Sequence, residues 1–186
     1  MKGKVKIVEQ YLEYSPPVHV YGSVSLLMRH VPEKYLAGVK KIVLTNSASL
    51  RSSYKGKYWA GDHRIRAADS RGMYWDGYIF LVIDHIFRGY PEVLLLLPII
   101  KTYAIGEVFY HEVGHHIHKC EQPGYRDNKE VIADEWKEKL LTAFFSKRYW
   151  YLAGVFRIYA KLIRPVVLKA TGTSKHKEVE CESGPA

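Results

Sequence analysis

A chain of 186 residues, 47% hydrophobic and 25% charged, is long enough for one folded domain that buries its own core without a structural metal, and its composition excludes a disordered body. Two cysteines far apart in sequence, Cys120 and Cys181, exclude a disulfide framework, and the opening MKGKVKIVEQYLEY lacks the unbroken apolar stretch of a secretory signal, so a cytoplasmic protein is expected. The net charge of +9 is concentrated: Lys147 to Lys177 holds eight Lys or Arg and no acid, leaving 20 basic against 19 acidic residues elsewhere.

Residues 4–13 and 23–30 space their apolar positions as helices do, with PPVHVYG between them as a loop. VPEKYLAGVKKIVLTNS predicts a short helix begun by Pro32, a stop at Gly38 and a strand over Lys41–Thr45. Two further extended segments, Lys57–Ala60 and Tyr78–Ile86, flank the loop GDHRIRAADSRG, so a small sheet of about three strands is expected. VLLLLPII at 93–100 falls well short of the roughly 18–20 apolar residues that span a bilayer, and it reads as core. Beyond Pro91 the pattern is helical, over about 91–97, 99–119, 128–146 and 149–168. Pro98 should start or kink the second of these, and QPG at 122–124 should end the connection after it. The expectation is one α+β domain over 1–174, with a core at 32–145 and a basic helical segment at 147–174, followed by a disordered tail at 175–186.

The chemistry concentrates in VFYHEVGHHIHK, residues 108–119. On a helix, His111 and His115 lie one turn apart on one face, close enough to share a single ion, and Glu112 beside them can serve a water molecule as general base without being a ligand. Gly114 inside the helix costs about 1 kcal/mol relative to alanine, which suggests that another element passes close by. A catalytic zinc site usually has three protein ligands and one open position. Glu130, in DNKEVIADEWKEKLL, opens the next predicted helix, and a helix hairpin would carry it back over the histidine face. Asp134, four residues on, then suits a hydrogen bond to His111 that fixes the ring's tautomer. A purely local alternative stands beside this one: Asp127 at the N-cap with Glu130 at N3 also fits a capping box. His116 and His118 read as packing or surface residues.

HEVGH followed by the ExxxD of Glu130 to Asp134 resembles the gluzincin class of zinc metallopeptidases, which includes thermolysin-like enzymes and the small minigluzincins. The order of a VPEKYLAGVKKIVL segment, a small sheet and then the motif helix is similar as well, and the likeness covers roughly residues 32–145. The resemblance implies a zincin-like fold and one Zn²⁺ held by His111, His115 and Glu130, with Glu112 as general base in the hydrolysis of a peptide or protein substrate. It also implies an oxyanion-steadying side chain, for which Tyr125 is the candidate. In such enzymes the peptide commonly lies along an exposed edge strand, and Tyr78–Ile86 is the nearest candidate here, although its FLVI run also suits a buried central strand.

Arg157, Lys161 and Arg164 recur at i, i+4 and i+7 in SKRYWYLAGVFRIYAKLIRP, making one basic stripe on an aromatic and aliphatic segment. That stripe fits the solvent face of a core helix, a nucleic-acid-facing surface or an interfacial membrane helix. The rival to an enzyme is therefore a non-enzymatic protein that binds nucleic acid or a membrane surface through residues 147–177, with a structural or vestigial metal site.

Overall fold

The structure, a computed structural model, describes residues 5–54, 58–60, 63–65, 69–121 and 128–150. Its frame is a mixed four-stranded sheet built from β1 (Lys6–Gln10), β2 (Lys41–Thr45), β5 (Gly72–Trp75) and β6 (Tyr78–Val82), in the spatial order β1-β2-β6-β5. The first three in that order are mutually parallel, and β5 runs antiparallel to β6 at the edge. β3 (Tyr58–Ala60) and β4 (His63–Ile65) pair separately with each other. The fold is α+β, with one more strand in the main sheet than the sequence suggested.

Helices fill the connections: α1 (Tyr21–Met28), α2 (Glu33–Leu36), α3 (Ser47–Tyr54), α4 (Ile83–Ile86), α5 (Glu92–Leu95), α6 (Pro98–Glu121) and α7 (Lys129–Arg148). KIVLT and YIFLV are apolar along nearly their whole length because both central strands are covered on both faces. Val43, Phe80 and Val82 point to one face and pack with Leu50 of α3. Ile42, Leu44, Ile79 and Leu81 alternate to the other face, each fully buried, on the side where α6 packs against β5 and β6. Tyr110 Oη donates to Leu27 O at 3.1 Å and ties α6 to the end of α1. One compact unit ends at Phe144, and a second begins at Phe145 within the last turns of α7. Among the described residues no helix is long and apolar enough to cross a membrane.

Four readings of the sequence change here. Residues 6–10 form β1, where a helix was expected over 4–13: Ile7 and Val8 fit either period, and ladder partners on β2 decide it. Tyr78–Ile86 divides into strand β6 and helix α4, and β6 is internal, flanked by β2 and β5, so it is not the edge. The segment 61–72 was read wholly as loop, yet it contains β4 and the first residue of β5. VLLLLPII is core only in part: Leu95 is buried and Ile99 and Ile100 are half-buried, whereas Val93, Leu94, Leu96 and Leu97 are exposed, because a one-turn helix can bury only one side. The expected helix at 149–168, the tail at 175–186, the QPG connection and Asp127 lie outside the described residues, as do Arg157, Lys161 and Arg164; of the helix only residues 149 and 150 are described.

The β5–β6 hairpin closes through Asp76 and Gly77, both at positive φ (46° and 82°), the two-residue turn that matches strand twist. A Cβ on Gly77 would sit 2.6 Å from Gly38 O. Gly77 O accepts from Lys40 N at 2.7 Å, and Lys40 Nζ reaches Asp76 at 2.7 Å, so this turn is pinned to the entry of β2. Gly77→Ala should lower stability by about 2 kcal/mol through left-handed strain and that backbone clash. Urea unfolding measures it, and an unchanged midpoint would show that the turn is not the constraint described.

Candidate metal centre

The 24 residues of α6 start at Pro98, where the missing N–H has no helical partner to lose. One turn apart on this helix, the rings of His111 and His115 stand perpendicular with centroids 4.7 Å apart, and their Nε2 atoms face each other at 3.1 Å. Glu130, in the first turn of α7, brings Oε2 to 3.3 Å from His111 Nε2 and 3.5 Å from His115 Nε2. Among the described residues these three form the one group of His, Cys, Asp or Glu able to hold a metal ion.

The donor set can be tested against the chemistry of zinc. Zn–N and Zn–O bonds near 2.0–2.1 Å in a tetrahedron separate neighbouring ligand atoms by about 3.3 Å. The three measured separations, 3.1, 3.3 and 3.5 Å, bracket that value. His111 Nδ1 lies 3.0 Å from Asp134 Oδ1; as the N–H donor there, it leaves Nε2 as a lone pair directed at the group. Asp134 also accepts from Lys137 Nζ at 2.8 Å, and that bond, followed by the one to His111, holds its carboxyl below the usual range. Burial, followed by the facing His111, lowers the pKa of His115 against the pull of Glu130, so its imidazole is neutral, as a ligand must be.

The spacing between α6 and α7 is set by Gly114. A Cβ there would meet the Cα and the O of Ala133, each at 2.7 Å, and Ala133 is itself fully buried. The two helix backbones therefore touch one turn beyond Glu130, which holds that side chain within reach of both histidines. Lower on the same helix, a Cβ on Gly106 would fall 3.1 Å from Leu141 of α7 and 3.3 Å from Leu27 of α1.

Glu112, the neighbour of His111 on α6, is buried, only 5% exposed. Its carboxylate accepts the backbone N–H of Tyr74 on β5. Burial raises its pKa to about 8, the charge of Glu130 adds to this, and the Tyr74 N–H opposes both. Room for it exists because position 72 is glycine: a Cβ there would fall 2.7 Å from Glu112 Oε1 and would clash with Val108 Cγ1.

His116 is fully engaged elsewhere. Its Nε2–H donates to Ala37 O at 2.9 Å, and its Nδ1 accepts from Tyr74 Oη at 3.0 Å, which in turn accepts from Gly77 N at 3.2 Å. This chain fastens the β5–β6 hairpin to α6. His118 is buried and stands outside the ligand group. Tyr125 lies outside the described residues. Gly72 and Tyr74 escaped the sequence reading, although Asp76-Gly77 between the alternating GMYW and YIFL is a strong hairpin signal that would have found β5.

No family model, curated protein or solved structure matches the chain. The likeness to gluzincins therefore stands on the motif, and the site on its geometry.

Gly114→Ala should keep the helices and weaken zinc binding about tenfold or more, since α7 must retreat from a Cβ that has no room. Competition against a chromophoric chelator, with circular dichroism as the control, measures it; unchanged affinity would mean that the helix contact does not position Glu130.

Proposed function

We propose that this chain is a zinc-dependent peptidase, with His111, His115 and Glu130 holding the ion and Glu112 acting as general base. The observation that carries the reading is Glu112 itself. A carboxylate taken out of water is unfavourable unless compensated, and among the described residues the N–H of Tyr74 is what compensates this one. A purely structural metal site gains nothing from that residue, whereas a hydrolase needs a proton acceptor beside its ligands.

When bound, zinc supplies the Lewis acidity that makes water a nucleophile near neutral pH and polarises a carbonyl. The residues do the rest. Tyr74 N–H anchors the Glu112 carboxylate, and Gly72 lets it lie against the strand. Glu112 accepts a proton as water adds to the scissile carbonyl carbon, then returns it to the amide nitrogen as the C–N bond breaks. A cation held by the neighbouring ligands would favour the ionised form of Glu112, the form that accepts a proton.

The preference for a peptide rests on β5. Trp75 and Tyr78 flank the two-residue turn and so close it as a hydrogen-bonded pair. By alternation, Gly72 and Tyr74 direct their backbone groups away from β6. Tyr74 N–H is used by Glu112; among the described residues no further strand pairs with β5, so the carbonyls of both residues and Gly72 N–H face the sheet edge, where an extended chain could add as a strand. The edge strand thus adjoins the general base, which β6 could not do.

Glu112→Gln keeps the shape and removes the base. Zinc content should match the native protein, while hydrolysis of a casein or fluorogenic peptide substrate should fall about 10²- to 10⁴-fold. Undiminished hydrolysis in the Gln variant would rule out this role for Glu112.

A further inference from the structure

Lys137 stands where α7 packs against α6. The two helices approach at a pair of glycines: a Cβ on Gly114 would fall 2.7 Å from Ala133, and one on Gly106 would fall 3.1 Å from Leu141. Ala133 and Leu141 are buried, and Lys137 lies midway between them, on the same helix face at i, i+4 and i+8. Such a position ordinarily holds an apolar side chain. The Lys137 side chain is only 20% exposed, against 53% for Lys40 and 56% for Lys119, both paired with Asp76 in the open. An exposed i, i+3 ion pair contributes little to stability. A lysine covered on a packed face needs its charge answered.

Asp134 answers it. Lys137 Nζ donates to Asp134 Oδ1 at 2.8 Å, and the same oxygen lies 3.0 Å from His111 Nδ1. The Asp134 side chain is 56% exposed, so water competes for its oxygens while the carboxylate reaches across to α6. We propose that Lys137 is a positioning residue of the candidate metal centre: it clamps the Asp134 carboxylate so that Oδ1 stays on His111 Nδ1–H, which keeps the Nε2 lone pair directed at the ion. The same ammonium offsets one of the two carboxylates, Glu130 and Asp134, that meet the histidines. This role rests on the metal site of the proposed peptidase and extends it one residue outward, to a side chain that touches neither ion nor substrate.

Lys137→Met keeps the stem and removes the charge. Long-range proton–nitrogen NMR of the metal-free chain at mildly alkaline pH, with His111 assigned by its loss in His111→Gln, reads the ring tautomer. The native ring should bear its proton on Nδ1, and the Met variant should show a larger share of the Nε2–H form. Zinc affinity, from competition with a chromophoric chelator, should fall about three- to tenfold, less than the roughly 10- to 100-fold that follows loss of a ligand's direct partner. Lys137→Arg should restore most of both. Adding Lys137→Met to Asp134→Asn should weaken zinc binding no further, because the lysine acts through Asp134.

An unchanged tautomer or an unchanged zinc affinity in the Met variant overturns the proposal. Additive losses in the double variant also overturn it, assigning Lys137 to packing alone. A native chain that binds no zinc would sink the peptidase reading instead, and the tautomer in the metal-free chain would still decide whether Lys137 orients His111.

Discussion

The backbone contact between Gly114 and Ala133 is the constraint on which the candidate centre depends. Two histidines on one helix can share an ion, but they hold it in a line along one face, and the third donor must arrive from outside that helix. A Cβ on Gly114 would fall 2.7 Å from the Cα and O of Ala133, and the close approach that its absence permits sets the start of α7 over the His111–His115 pair. Any side chain larger than hydrogen at that position separates the helices. The helix-propensity penalty of a central glycine, about 1 kcal/mol, is thus offset by the geometry it permits.

A second glycine does the same for the other half of the site. Gly72 lets β5 lie against the carboxylate of Glu112, and the hydrogen-bond chain from Gly77 N through Tyr74 and His116 to Ala37 O keeps that strand seated on α6. The two histidines of the candidate centre and the proposed base therefore belong to one helix yet are held by different neighbours: α7 for the metal side, β5 for the base side. His116, which sits among the motif histidines, contributes by fixing β5, and its two nitrogens are both spent on that task.

Much of this was legible in the sequence because it is written in local spacing. The i, i+4 histidines, the proline that starts α6, the first-turn Glu130 and the central glycine each have a direct physical meaning within a helix hairpin. β1 was misread because five residues with two central aliphatics satisfy both periods, and only pairing with β2 distinguishes them. The exposed leucines were misread because a hydrophobic run says nothing about which way a single helical turn faces. β5 was missed through a turn signal left unused, and with it the strand that meets Glu112. The first two errors share a cause: each concerns what a segment meets in the fold, which spacing along the chain does not carry.

The most direct test of the account is the zinc affinity and stoichiometry of the native chain and of Glu130→Ala, on protein purified without an affinity-metal column. The hairpin geometry predicts one equivalent of zinc in the native protein and an affinity at least about tenfold lower in the variant, with Glu112 still in place. Equal affinity in the two would contradict the three-ligand centre, leaving Glu130 as a helix-terminal carboxylate and the His111–His115 pair as packed neighbours on α6.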